Sequence, residues 1–307
     1  MIVPPIKSQG IKTKLVPWIN DVAGFSNATG RWVEPFLGTG VVAFNSGFDS
    51  ALLGDNNPHL INFYQNIKDG VITPDSMKQY LQIEGELLKV ANDNGYDHYR
   101  LIRDRFNEAF DSNDFLFLSR AGFNGMIRFN KKGKWNIPFC KKPNRFSKSY
   151  ITKIVNQVGK VRNIINEDWE FRNCNFDEII LEARENDIIY CDPPYYGRYV
   201  DYYNSWSEED ETRLFELLEA TNAKFILSTW HHNNYRENEM VNRYWNKFNV
   251  VTMDHFYHSG GNIENRNTVV EALVFNFNAD IVSHNHKRNM YENVNPQLQF
   301  VGDAIVN

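Results

Sequence analysis

The chain of 307 residues is 42% hydrophobic and 14% aromatic, enough for a sizeable core, and no apolar run reaches the ~18 residues of a membrane span. Three widely spaced cysteines, Cys140, Cys174 and Cys191, argue against a disulfide framework or a zinc ribbon, and an N-terminus without the order of a signal peptide points to a cytoplasmic protein. The net charge of −5 hides a strong asymmetry: Phe115 to Asn166 holds twelve Lys or Arg and no Asp or Glu, while the rest carries 21 basic residues against 38 acids.

In chain order, "RWVEPFLGTGVVAFNSGF" reads as a short strand, a glycine turn and a helix. "SALLGDNNPHLINFYQNIKDG" repeats this as strand, Asp-Asn turn and a helix with Leu60, Phe63, Tyr64 and Ile67 on one face. From about 71 to 157 the alternation gives way to helical pieces and the basic, glycine-punctuated segment "RAGFNGMIRFNKKGKWNIPF", a loop or a β-hairpin. Alternation resumes with "WEFRNCNF", "DIIYCDPPY" and "SWSEEDETRLFELLEA", in which Ser207 can cap a helix whose first turn is acidic. "AKFILSTW" is a further buried strand, and "FNVVTMDHFYHS" with "NTVVEALVFNF" suits a closing hairpin. The expected division is 1–70 and 158–280 for one α/β unit, 71–157 for an insertion, and 281–307 for a tail.

Phe123, Phe129, Trp135, Phe139, Phe146 and Tyr150 are interleaved with the basic residues of the insertion. Cations mixed with aromatics that look exposed suit a polyanion with stackable bases, so a nucleic acid is the expected partner in spite of the acidic total. Gly38 and Gly40, with Ala43, make a G-x-G-x-x-A spacing that lets a ligand approach the backbone. That turn fits a nicotinamide dinucleotide as well as any other adenosine ligand. Asp55 can take ribose hydroxyls, and Glu34 adds a second acid near the turn.

"IIYCDPPYYGRY" ends an apolar run in an acid, two prolines and two tyrosines. Consecutive prolines remove two N–H donors and force the chain out of the sheet. The Asp192 carboxylate and the Pro193 carbonyl are then two convergent acceptors, Pro194 stiffens the turn, and Tyr195 offers an aromatic plate. Such a site suits a planar ring bearing an NH₂ group, whose nitrogen is drawn toward tetrahedral geometry as it attacks an activated methyl. The amine of a DNA base, an RNA base or a protein glutamine would each fit.

Taken in order, "VEPFLGTG", "GDNN", "LSRAGFNGMIRFNKKGKWNIPF" and "YCDPPY" resemble the Dam-type DNA adenine-N6 methyltransferases of the α group, over about Pro5 to Phe277. The resemblance implies a Rossmann-like sheet binding S-adenosylmethionine and an inserted, mainly helical target-recognition domain carrying a β-hairpin. It further implies double-stranded DNA as partner, with the adenine flipped out of the duplex. By position it carries cofactor contacts onto Lys12, Glu34, Phe36, Gly38, Gly40, Asp55, Phe176 and Asp192, and catalysis onto Asp192, Pro193, Pro194 and Tyr195. DNA contacts fall on Lys7, Phe123, Asn124, Met126, Arg128 and Pro138; of these Phe123 matches an aromatic that enters the base stack. Lys131, Lys132 and Lys134 are the candidate phosphate contacts. A site-specific enzyme of this kind belongs with a restriction-modification or related system, beside a cognate endonuclease or a companion methyltransferase. The chain departs from the family's pattern at "KSQGIK", where Ser8 and Ile11 replace the usual aromatic and glycine, and at "CKKPNRF" after the hairpin. These leave the palindrome GATC and a non-palindromic site containing GAT both open.

No metal is expected. His231-His232, His255 with His258, and His284 with His286 lack Cys or carboxylate partners at a ligand spacing. Cys191, inside a strand, reads as structural.

Overall fold

A computed structural model of the protein describes residues 1–8, 10–196, 206–256 and 268–278. His258, His284, His286 and the tail from 281 lie outside the described residues. The chain runs α1 (Val16–Gly24), β1 (Trp32–Glu34), β2 (Ala51–Asp55), α2 (Pro58–Lys68), α3 (Pro74–Val90), α4 (Tyr96–Ala109), α5 (Ser112–Ala121) and α6 (Lys148–Ile164). It continues through β3 (Trp169–Asn173), α7 (Phe176–Leu181), β4 (Ile188–Cys191), α8 (Glu208–Ala220), β5 (Lys224–Asn233), α9 (Glu239–Arg243), β6 (Asn249–Phe256) and β7 (Thr268–Phe275).

Local chemistry sets the helix starts. Asn57 accepts the His59 N–H ahead of Pro58, Thr73 and Ser76 form a capping box, and Asp111 accepts from Asn113 and Asp114. Ser207 caps α8 as expected, reciprocally with Asp210. The α2 face of Leu60, Phe63, Tyr64 and Ile67 is buried.

The strands form one seven-stranded sheet in the order β3-β2-β1-β4-β5-β7-β6. All neighbours are parallel except β7, which is antiparallel to β5 and to β6 and so closes the edge as the expected hairpin. From β1 the chain first builds outward through β2 and β3, then returns to place β4 on the other side of β1. This is a topological switch point, and ligand crevices of α/β sheets form beyond the carboxyl ends of the strands there. Apolar side chains cover both faces: Val33, Ile189, Cys191 and Leu227 pack against α7 and α8, while Trp32, Tyr190, Ile226 and Leu273 join the larger cluster that includes α1 to α6. The insertion is thus a helical block fused to the sheet's own core. Its helix α6 runs from Lys148 to Ile164.

Two local expectations are corrected. The glycine turn is followed by a single 3-10 turn, Ala43–Asn45, instead of a helix. The short, β-branched and asparagine-containing run "VVAFNSGF" has Gly47 at φ 80°, which stops any continuation. The aromatics of the basic segment are mostly internal: Phe129, Trp135, Phe139 and Phe146 are buried, and Phe123 is exposed. Their rings pack on the insertion's helices, Tyr99 on Phe139 at 5.1 Å, Phe106 on Trp135 at 6.1 Å and Phe117 on Phe146 at 4.6 Å. The basic segment therefore supplies core with its rings and charge with its lysines.

Candidate active site

The glycine turn and the Asp-Pro-Pro-Tyr segment leave the sheet side by side, from the ends of β1 and β4. Gly38 and Gly40 both adopt left-handed backbone, at φ 50° and 72°. A Cβ on Gly40 would lie 2.5 Å from the Phe44 ring, whereas one on Gly38 would meet nothing within 4 Å. The turn is thus packed on one side and open on the other. Leu37 N–H reaches the Gly54 carbonyl of β2 at 2.8 Å, and Gly38 N–H reaches Asp55 Oδ2 at 2.8 Å. Asp55 Oδ1 takes the Asn57 N–H at 2.8 Å. Burial pushes the Asp55 carboxyl up to about 6 in spite of these two donors.

Glu34 sits behind the turn, 2% exposed, with Oε2 accepting from Trp32 Nε1 at 2.8 Å. A backbone hydrogen bond from Ala43 ties it to the far side of the turn, and burial holds its carboxyl well above the usual range. In this geometry Glu34 braces the loop from within. Phe36 and Phe176 stack at 5.3 Å and 25°, and Trp206 closes edge-on to Phe36 at 5.5 Å. Sequence reasoning missed Trp206; its position just before the Ser207 cap, and a 2.6 Å bond from its Nε1 to Glu211, fix it against α8.

Asp192 leaves β4 with its side chain 22% exposed and forms an ion pair through Oδ1 with Lys12 Nζ at 2.9 Å. Lys12 also donates to the Tyr195 hydroxyl at 2.8 Å, which in turn donates to Glu271 Oε2 at 2.5 Å. Desolvation raises the Asp192 carboxyl, the Lys12 charge works against this, and Glu271 adds to the rise. Pro193 is buried, with Pro194 and Tyr195 half-buried beside it. Cys191 is fully buried, its thiol pushed well up by desolvation, as a structural residue.

The hairpin of the insertion is irregular, held by the bridges Gly122 with Phe139 and Phe129 with Trp135. Phe123 N–H bonds the Pro138 carbonyl at 2.9 Å, and Asn124 and Gly125 turn through left-handed backbone at φ 52° and 68°. This turn presents the Phe123 side chain, 49% exposed, next to half-buried Met126. A Cβ on Gly125 would lie 2.7 Å from the Lys7 stem, so the N-terminal segment is seated on the hairpin. Burial and the nearby Arg145 lower the Lys7 ammonium below its ordinary value. Arg128 turns its fork on the Asn136 carbonyl, with Nε at 3.2 Å and Nη2 at 2.8 Å. Lys131, Lys132 and Lys134 stand exposed on the loop at the hairpin's tip. Arg120, in contrast, is buried and structural, bonding the Pro5 carbonyl at 2.6 Å and Gln157 at 2.6 Å.

His231 and His232 lie Nδ1 to Nδ1 at 2.8 Å beyond the buried part of β5. Among the described residues no group of three His, Cys, Asp or Glu is placed to hold a metal ion, and no helix is long and apolar enough to cross a membrane.

A DNA adenine methylase of Vibrio cholerae is 33% identical over 201 residues, 62% of this chain and 67% of the relative. That of Haemophilus influenzae is 33% identical over 197 residues, 62% of this chain and 63% of the relative, so these alignments span about two thirds of either relative. Type II methyltransferase M1.LlaDCHI of Lactococcus lactis subsp. cremoris is 23% identical over 291 residues, 89% of this chain and 95% of the relative. The family model described as D12 class N6 adenine-specific DNA methyltransferase matches residues 8–259, from the Lys12 segment through the basic segment and the Asp192 turn to β6. The chain belongs to the D12 class of N6 adenine-specific DNA methyltransferases.

Proposed function

We propose that the protein transfers a methyl group from S-adenosylmethionine to the exocyclic N6 of an adenine flipped out of double-stranded DNA. The observation that carries this reading is the pairing of Asp192 with Lys12 at the end of β4, next to the glycine turn at the end of β1. The residues around that turn suit the cofactor. Gly38 leaves open space for its backbone approach, Asp55 is a buried acceptor for ribose hydroxyls, and the Phe36–Phe176 stack with Trp206 is a flat apolar edge for an adenine ring. Lys12, Phe36, Gly38, Gly40, Asp55 and Phe176 would hold the cofactor, with Glu34 bracing the turn. Bound there, it supplies an electrophilic methyl group that needs no enzyme nucleophile.

The chain's own work is at the amine. Asp192 and the Pro193 carbonyl accept its two N–H bonds, which draws electron density onto N6 and stabilises the positive charge that develops there. The Lys12 charge works against the desolvation that raises the Asp192 carboxyl, and so favours its ionised form. Pro194 fixes the turn and Tyr195 stacks on the ring. Flipping an adenine costs a few kcal/mol of unstacking, and Phe123, exposed on a rigid turn, can fill the vacated stack. Lys7, Asn124, Met126, Arg128 and Pro138 then face base edges, and Lys131, Lys132 and Lys134 face phosphates. We place the enzyme in the cytoplasm, within a restriction-modification or related system and alongside a cognate endonuclease or companion methyltransferase. The name of the Lactococcus relative supports that setting.

Incubation with labelled S-adenosylmethionine and duplex DNA, followed by nucleoside analysis, tests the reaction. N6-methyladenine is the expected product. Label in cytosine or in RNA alone would overturn it.

A further inference from the structure

The alternation of the strands brings a second acid to the catalytic turn from two strands away on the same face of the sheet. In β4 Tyr190, and in β5 Ile226 and Ser228, point to the face that carries the larger core cluster. Trp230 continues that alternation, and β7 pairs Glu271 directly opposite it. Glu271 therefore faces the same side as Asp192, two strands away, and it is fully buried. A buried carboxylate flanked by Leu273 and Ala272 is expensive unless its charge is answered. Here the answer comes through Tyr195: the hydroxyl donates to Glu271 Oε2 at 2.5 Å and accepts from Lys12 Nζ at 2.8 Å. The single O–H of Tyr195 is thus engaged in both senses between a cation and an anion, which are the strong kinds of hydrogen bond.

We propose that Glu271 is a positioning residue of the methyl-transfer site, acting through the Tyr195 hydroxyl to fix the plane of the ring on which the flipped base stacks. Tyr195 lies past two prolines, where the chain has left the sheet, so ladder hydrogen bonds no longer hold it. Two of the contacts that restrain it run through its hydroxyl and its ring face. One is Lys12, which sits 4.7 Å from the ring centroid and also serves Asp192. The other is Glu271, which is anchored in a strand paired on both sides. Glu271 is the rigid member, and through the shared hydroxyl it also sets where Lys12 places its charge. A displaced ring would lose stacking on the base without removing the acceptors at Asp192 and Pro193. This inference rests on the adenine-methylation reading above.

The test is a double-mutant cycle on the purified enzyme with duplex DNA carrying 2-aminopurine at the target position. Glu271→Ala should lower the flipped-base fluorescence and kcat/KM for DNA by about ten- to a hundredfold, the size of one hydrogen bond to a charged group. Tyr195→Phe, which keeps the ring and removes the hydroxyl, should give a similar loss. The double variant should be no worse than either single one, because both remove the same link. Glu271→Gln, which keeps an acceptor oxygen, should recover most of the loss. Multiplying losses in the double variant would mean that Glu271 acts elsewhere and would overturn the proposal, as would wild-type capture by Glu271→Ala. If the buried alanine variant does not fold, Tyr195→Phe alone decides: undiminished base capture rules out any role for the hydroxyl link. A wild-type enzyme that methylates no adenine would instead overturn the reaction assigned above, and so the two failures are told apart.

Discussion

Gly38 and Asp55 are tied by a 2.8 Å hydrogen bond from the glycine N–H to Oδ2, so the turn after β1 is locked to the end of β2 through the side chain that faces the crevice. Oδ1 is likewise fixed by the Asn57 N–H. Each oxygen keeps further lone-pair capacity, and the carboxylate is oriented before any ligand arrives.

That arrangement predicts a pH-dependent cofactor affinity. Burial raises Asp55 to about 6, and ribose hydroxyls donate more strongly to its ionised form. Binding should therefore be constant above pH 7 and weaken as the pH falls through about 6, where the carboxyl takes up a proton. The sign for folding is the reverse. A raised carboxyl costs nothing below its unfolded value near 3.8, and its ionisation costs stability as the pH climbs toward 6. Titration calorimetry with S-adenosylmethionine from pH 5 to 8 checks the binding. Asp55→Asn should bind more weakly at pH 8 and lose the pH dependence; an affinity that is flat in the wild type would remove Asp55 from the site.

Much of this site is legible in the sequence because it is local. Gly38, Asp55 and Asp192 each stand at the end of an apolar run, where strand alternation and a proline or glycine stop already place them on the crevice edge. Glu271 is not legible in that way. It sits inside "VVEALVF", and nothing nearby in sequence says that its partner is Tyr195, 76 residues earlier. The buried rings of the basic segment were misread for a related reason. Periodicity is uninformative in an irregular hairpin, and only the packing of Trp135 against Phe106 and Phe115 shows that these aromatics belong to the core. Trp206 is hidden in the sequence because a helix cap is marked by its polar residue, Ser207, and nothing local ties the ring before it to Phe36 and Phe176.

The Lys12–Asp192 ion pair predicts how activity depends on pH. Lys12 is what holds Asp192 down against desolvation and against Glu271. If ionised Asp192 accepts the amine, Lys12→Ala should move the acidic limb of the kcat profile to higher pH, while Lys12→Arg should keep it. Asp192→Ala removes the acceptor altogether and should cost about 10²–10³-fold in single-turnover methylation at saturating cofactor. A limb that stays in place in Lys12→Ala would show that another group sets it.

The exposed loop of Lys131, Lys132 and Lys134 predicts a salt effect without a sequence effect. Asn130 Oδ1 ties the loop by accepting from the backbone of Lys132 and Lys134, so the lysine side chains are left pointing outward. Each phosphate contact contributes about 0.9 to the slope of log affinity against log salt. Replacing all three by Gln should flatten that slope by about two to three while the preferred sequence stays the same. Fluorescence anisotropy over a salt series measures it, and an unchanged slope would put the phosphate contacts on other residues.

Arg128 carries the prediction on sequence specificity. In the free protein its Nε and Nη2 both point at the Asn136 carbonyl, which holds the guanidinium on the hairpin two residues from Met126 and close to the turn that presents Phe123. A guanine O6 and N7 pair offers two acceptors to that fork where the carbonyl offers one, so the exchange favours guanine and no other base. Arg128→Ala should relax selection at one G·C pair by about 1–3 kcal/mol. Arg128→Lys keeps the charge but not the fork, and should retain affinity while losing most of the discrimination. Lys7, seated against Gly125, is carried by the same turn, and on the proposed docking it would be a second donor near the flipped adenine. A guanine next to the methylated adenine, as in a GA step, is the expected outcome, with GATC and a non-palindromic site containing GAT told apart by whether one strand or both are modified. Sequencing that maps N6-methyladenine on DNA treated with the purified enzyme and with Arg128→Ala decides the matter. Methylated adenines without a guanine within two bases would remove Arg128 and Lys7 from base reading, even with adenine methylation itself intact.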